Sequence, residues 1–200
     1  MIRGDSSEYD LLKKWCETLP FFEEPKLVTT IEIGINEGKG SEVIMEAIKS
    51  RIGNKAYEHI GVDPYGDLEY KHFDKHPMWK INGEWTSKAP TYSNKTRDKM
   101  IKDFAQSTNF RFYNMTDIEY MKIFNLTKTK FDLVFLDGPH TTQDILRESI
   151  WFAEKSRKGT RIIIDDYPLS NFEVIRAAIS YWDFKVHEKG NHKVCFEKTC

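Results

Sequence analysis

The sequence predicts an α/β chain: a mostly parallel sheet of seven strands, doubly wound so that helices cover both faces. Short runs rich in Val, Ile and Phe alternate with segments of helical periodicity, and the runs are apolar along their whole length, as strands buried on both sides must be. A second observation places a site on this sheet. Four of the runs end or turn on a distinctive residue: Glu32 with Gly34, Asp63, Asp137, and Asp165 with Asp166. Ligands of parallel sheets bind at the carboxyl ends of the strands, where these residues converge.

Taken in order, Ser6 or Ser7 caps a first helix through about Glu17, with Leu11, Leu12 and Trp15 on one face, and Pro20 and Pro25 end it. Leu27–Ile33 reads as a buried strand, followed by a glycine turn and a helix over about Ser41–Ser50. A short second strand runs from Glu58 to Asp63. The alternation is then interrupted by an insertion of about residues 65–108, with one helix near Asn94–Ala105. Strands follow at Phe110–Asn114, Phe131–Asp137 and Thr160–Asp165, with helices over about Thr142–Lys155 and Asn171–Trp182. Phe184–His187 and Lys193–Glu197, separated by Gly190-Asn191, read as a closing hairpin that adds an antiparallel edge.

The 200 residues suit one domain, 1–200, and 40% hydrophobic with 14% aromatic residues supply a sizeable core. A formal net charge of -1 argues against a nucleic-acid partner. No apolar run approaches the roughly 20 residues that cross a bilayer, so no membrane partner is expected. The polar start of the chain lacks the apolar stretch of a secretory signal. Cys16, Cys195 and Cys200 form no pair at metal-ligand or redox spacing, which points to a reducing, cytoplasmic setting.

Ile31-Glu32-Ile33-Gly34-Ile35-Asn36-Glu37-Gly38-Lys39-Gly40-Ser41 runs from strand into helix. Its glycine spacing is neither that of a dinucleotide fingerprint nor that of a phosphate loop. An acid in the turn suits a cationic ligand, and the ammonium and sulfonium of S-adenosylmethionine supply that charge, so Glu32 is placed against them. Asp63, closing the second strand, can accept both hydroxyls of a ribose. A glycine turn alone also serves any α/β fold, and an acid at a strand end is common.

Together, Ile31-Glu32-Ile33-Gly34 with Gly38-Lys39-Gly40-Ser41, and Gly61-Val62-Asp63-Pro64-Tyr65, resemble the first two motifs of class I S-adenosylmethionine-dependent methyltransferases. The resemblance implies a Rossmann-like methyltransferase fold, with Glu32, Gly34, Gly38 and Asp63 at the cofactor. It puts Thr116 and Asp117, just past the third strand, near the adenine, although Asp117 can equally cap the helix that follows.

Phe131-Asp132-Leu133-Val134-Phe135-Leu136-Asp137-Gly138-Pro139-His140 and Ile162-Ile163-Ile164-Asp165-Asp166-Tyr167 carry the remaining chemistry. Three carboxylates in one cleft repel one another, and a hard cation, Mg²⁺ or Ca²⁺, would relieve the repulsion. Such an ion would also bind the acceptor hydroxyl and lower its pKa. His140 titrates near neutrality and can act as the general base. Plainer roles stay open: Asp137 as a helix cap, Asp165 as a turn cap, His140 as a helix-start residue. The pair of patterns is similar to a bacterial branch of the class I enzymes that includes macrocin O-methyltransferase-like proteins and proteins labelled after cephalosporin hydroxylase. The resemblance, which spans residues 27–168, implies Asp137, Asp165 and Asp166 as metal ligands, with Asp166 where catechol-type enzymes have an amide.

The insertion carries Tyr65, Tyr70, Trp79, Trp85 and Tyr92, and between Lys71 and Lys102 it has eight Lys or Arg against three acids. It reads either as a basic, aromatic lid over an anionic or glycosylated small acceptor, or as a solvated loop with one helix. The expected reaction is O-methylation of a small sugar or catechol-like acceptor. A nucleotide-sugar or NAD-dependent enzyme and a non-catalytic binding module are the alternatives. Related enzymes often associate, so a homo-oligomer is compatible with the reading.

Overall fold

The computed structural model describes residues 2, 4, 7–20, 27–53, 56–66, 69–74, 79–81, 84–86, 88–90 and 93–200. In chain order its elements are α1 (Tyr9–Glu17), β1 (Val28–Ile33), α2 (Lys39–Ile52), β2 (Tyr57–Val62), the three-residue strands β3 (Glu69–Lys71), β4 (Trp79–Ile81), β5 (Glu84–Thr86) and β6 (Lys88–Pro90), then α3 (Asn94–Phe104), β7 (Phe110–Tyr113), α4 (Asp117–Ile123), β8 (Phe131–Leu136), α5 (Thr142–Glu154), β9 (Ser156–Ile164), α6 (Phe172–Ser180), β10 (Phe184–Lys189) and β11 (Val194–Lys198).

Seven strands form one sheet in the order β10-β11-β9-β8-β1-β2-β7. The five strands from β9 to β7 are parallel, whereas β11 runs antiparallel to both β9 and β10. The closing hairpin therefore forms the expected edge, and its reversed strand lies one place inside it. Side-chain alternation divides the core. Ile31, Ile33, Val134, Leu136, Ile162 and Ile164 face α4, α5 and α6, while Val28, Leu133, Phe135 and Ile163 face α1 and α2. Both faces are covered, which is the doubly wound architecture that the apolar strands require.

The register fixes where the strands end. Ile33 pairs with Val62 and Leu136, Val62 with Tyr113, and Leu136 with Ile164, which in turn pairs with Val194. Gly34, Asp63, Asn114, Asp137 and Asp165 each follow a residue of this row, and so emerge along a single edge. Because β11 is reversed, Lys193, the residue that precedes it, arrives at the same edge.

Three local expectations change. Helix α1 starts from Glu8, in a left-handed conformation without a side-chain cap, and not from a serine; Ser6 lies outside the described residues. The Glu8 carboxylate is drawn away to the backbone N–H groups of Asn191, His192 and Lys193, at 2.7, 2.9 and 2.9 Å. The insertion holds two small antiparallel pairs, β3 with β6 and β4 with β5, besides α3. Three-residue strands are too short for a periodicity of two to show in sequence. Finally, α3 packs its buried Met100 with Ile35 and Tyr65 instead of lying free in solvent.

Candidate functional site

The glycine turn is built for close approach and is held from below. Gly34 and Gly38 have φ of 82° and 94°, and Asn36 between them is left-handed as well, at 50°. Asp63 braces the turn. Its Oδ2 accepts the N–H groups of Ile35 (2.8 Å) and Asn36 (3.2 Å), and its Oδ1 accepts that of Tyr65 (3.0 Å). The Tyr65 hydroxyl donates to the carbonyl of Asn36. Beyond the turn, the first N–H groups of α2 have no partner within the helix and point toward the edge.

Glu32 sits beneath this turn and not over the strand ends. Its carboxylate is 1% exposed, accepts from the Ser41 hydroxyl on α2, and lies 3.7 Å from His59 Nε2. Three contacts link these buried groups. Thr30 Oγ1 lies 2.8 Å from His59 Nδ1, His59 Nε2 lies 3.0 Å from Ser41 Oγ, and Ser41 donates to Glu32. Burial pushes the His59 pKa down to about 3, so the imidazole is neutral at physiological pH. Burial, helped by neighbouring His140, lowers His72 to about 3 as well.

The unfolded chain protonates these histidines near pH 6.5 and the folded chain refuses the proton until about pH 3, so stability is complete above pH 6.5 and is lost as the pH falls through that window. Each histidine contributes a slope of up to about 1.4 kcal/mol per pH unit. Denaturant midpoints measured between pH 7 and pH 5 should fall steeply in the wild type and less steeply in His59→Asn. An unchanged slope in the variant would refute the assignment.

On the next side of the edge, Thr116 caps α4 in a capping box with Glu119. Asp117 is buried and accepts from Arg147 Nη2 at 2.6 Å, and the same guanidinium meets Asp144 at 2.7 Å. Glu148, fully buried beside this group, is held well above the usual carboxylate range first by desolvation and then by Asp117.

The exits of β8 and β9 hold His140. The ring is 4% exposed, and its Nε2 lies 3.9 Å from Asp137 Oδ1. Desolvation lowers its pKa; the charges of Asp165 and Asp166 and a hydrogen bond to the Asp165 backbone oppose that shift. Residues 72–74 of the insertion pack onto it. The His140 N–H donates to the His72 carbonyl (2.9 Å), the His140 ring stacks on Phe73 with centroids 5.6 Å apart, and Thr142 N–H donates to Asp74 (2.8 Å). At least this segment of the insertion therefore covers the site. The side chains of Tyr70, Trp79, Trp85 and Tyr92 lie outside the described residues.

The three expected metal ligands are not assembled as a donor set. Asp137 meets His140, Asp166 Oδ1 lies 3.3 Å from His192 Nδ1, and Asp165 Oδ1 accepts from Lys193 Nζ at 2.5 Å. Asp165 and Lys193 are buried at 2% and 0% exposure. Among the described residues, no three His, Cys, Asp or Glu side chains are grouped to hold a metal ion. An ammonium occupies the carboxylate that Mg²⁺ or Ca²⁺ would need, so these residues do not fit the ion. Lys193 was not anticipated from sequence. The reversed direction of the last strand was the available signal.

The family model described as "Methyltransferase domain" matches residues 31–167. Among solved structures, the O-methyltransferase NovP superposes with a TM-score of 0.62 at 12% identity, covering 96% of this chain and 79% of that one. The O-methyltransferase from Bacillus cereus in complex with SAH gives 0.57 at 13% identity, covering 100% and 84%. TomG from Streptomyces achromogenes, an O-methyltransferase involved in tomaymycin synthesis and solved with SAM, gives 0.57 at 12%, covering 100% and 82%. At these identities the superpositions speak for the fold. No curated protein matches the chain. Among the described residues, no helix is long and apolar enough to cross a membrane.

Proposed function

The chain belongs to the methyltransferase-domain family, as a class I S-adenosylmethionine-dependent enzyme, and from that premise we propose that it methylates a hydroxyl of a small acceptor with His140 as the general base. The observation that carries the proposal is the placement of His140. It is a buried imidazole of lowered pKa, at the carboxyl edge of the sheet, between Asp137 and the Asp165 backbone. O-methylation also agrees with the chemistry named for NovP and TomG.

S-adenosylmethionine supplies an electrophilic methyl group. With that cofactor bound, His140 would take the proton of the acceptor hydroxyl as the methyl group passes from sulfur to oxygen, and the thioether would leave uncharged. Asp137, Asp165 and Asp166 favour the imidazolium that results. The turn at Gly34–Gly38 lets backbone approach the cofactor, Asp63 holds that turn and faces the ribose, and Thr116 and Asp117 stand toward the adenine. Glu32 acts through the turn that it supports. No step runs through Mg²⁺ or Ca²⁺, for which no ligand set is assembled among the described residues. The basic, aromatic composition of the insertion suits an anionic or glycosylated acceptor.

Calorimetry with S-adenosylhomocysteine tests the reading: one site per chain is expected, and absence of binding would sink it. Asp63→Ala should weaken that binding on the order of 10–100-fold, the effect of losing hydrogen bonds to a charged group. An affinity unchanged in the variant would remove Asp63 from the cofactor site.

A further inference from the structure

We propose that Lys193 is the resident cation of the strand-end acid cluster, taking the place at Asp165 that a divalent ion would otherwise occupy. Its position in the fold supports this. Lys193 stands just before β11, the reversed strand, and so reaches the edge where Asp137 and Asp165 leave β8 and β9. Its ammonium donates to Asp165 Oδ1 at 2.5 Å, and the side chain is fully buried.

The lysine is held there from both sides. Its backbone N–H donates to Glu8 Oε2 at 2.9 Å, and its carbonyl accepts from Gly190 N–H at 2.7 Å. The rings of Tyr9 and Phe135 each lie 5.5 Å from Nζ, so the charge is enclosed by aromatic surface as well as by the carboxylate. Glu8 and Tyr9 come from the start of α1 and Phe135 from β8. Three separate parts of the chain thus converge on one ammonium.

The consequence is chemical. An ammonium offers no open coordination position and cannot act as a Lewis acid, so it neutralises Asp165 and keeps that carboxylate in place without binding the acceptor oxygen. A divalent ion ligated by Asp165 would have to expel Lys193 from an enclosed pocket, or sit against its positive charge. Activation of the acceptor then falls to His140. That last role rests on the methyl-transfer reading, whereas the identity of the cation does not.

Mn²⁺ titration of the protein, followed by the electron paramagnetic resonance signal of the free ion with and without S-adenosylhomocysteine, tests the proposal. The wild type should show no saturable site tighter than about 1 mM. Lys193→Met, verified as folded by circular dichroism, should gain a saturable site, and adding Asp165→Asn should abolish it. One tight Mn²⁺ per wild-type chain, lost in Asp165→Asn alone, would overturn the proposal whether or not the lysine variant folds. A folded Lys193→Met with no gain would overturn it as well. Failure of S-adenosylhomocysteine to bind in the same experiment counts against the methyl-transfer reading and leaves the cation result standing.

Discussion

His140→Gln is expected to bind S-adenosylhomocysteine as tightly as the wild type and to turn over about 10²–10⁴-fold more slowly, the usual contribution of a positioned general base. Glutamine fills much of the ring's volume and retains the backbone N–H that donates to the His72 carbonyl, so residues 72–74 stay docked. Removal of the base touches neither the glycine turn nor Asp63. The loss should therefore appear in kcat, with cofactor affinity spared. The pH profile separates a base from a merely structural histidine. Only the neutral imidazole accepts a proton, and burial lowers the pKa of His140 below 6.5. Wild-type kcat/KM should stay level from pH 8 down to about 6.5 and fall only below that, and the limb should be absent from the residual activity of the glutamine variant. Full turnover in His140→Gln, or a limb that persists in it, would reassign the residue to packing.

The parts of the fold that were legible are those whose residues have one reason to be where they are. The strands β1 and β8 and the second half of β9 are buried on both faces because helices cover both, which is why Ile31, Ile33, Leu133–Leu136 and Ile162–Ile164 read as apolar runs. The short strands of the insertion had no such signal. The convergence of Gly34, Asp63, Asp137 and Asp165 on one edge was also legible, because a parallel sheet with aligned register leaves them nowhere else to emerge.

Two charged residues of the site are placed by strand geometry and not by residue type. Glu32 is the penultimate residue of β1, and its side chain stands perpendicular to the sheet, on the face opposite Ile31 and Ile33. Alternation alone puts it under α2. Lys193, expected as the first residue of the closing strand, instead directly precedes β11, and the antiparallel run of that strand brings it to the carboxyl edge of the parallel strands. Three acids at adjacent strand ends suggest a cation, and Asp165 accepts a hydrogen bond from the ammonium of Lys193, 28 residues further along the chain.

Gly34→Ala is expected to destabilise the protein by about 3 kcal/mol or more, through two effects that a second glycine separates. At φ of 82° an alanine is strained by roughly 1–2 kcal/mol. Its Cβ would also lie 2.3 Å from the Asp137 carbonyl oxygen and 2.7 Å from the Gly138 Cα, both backbone atoms. Relief requires the ends of β1 and β8 to part, yet Asp137 N–H donates to the Ile33 carbonyl at 2.8 Å across that gap. Gly53, at φ of 61° with nothing within 4 Å of its virtual Cβ, suffers the backbone strain alone. Thermal melts should therefore drop by roughly 6–12 °C for Gly34→Ala, and by about a third of that for Gly53→Ala. Because the gap carries Asp137, and His140 three residues beyond, widening it should also depress turnover in whatever Gly34→Ala remains folded, with Gly53→Ala as active as the wild type. Equal melting losses in the two variants would mean that backbone conformation alone demands the glycine, and that the close approach of β8 to the turn does not set the geometry of the site.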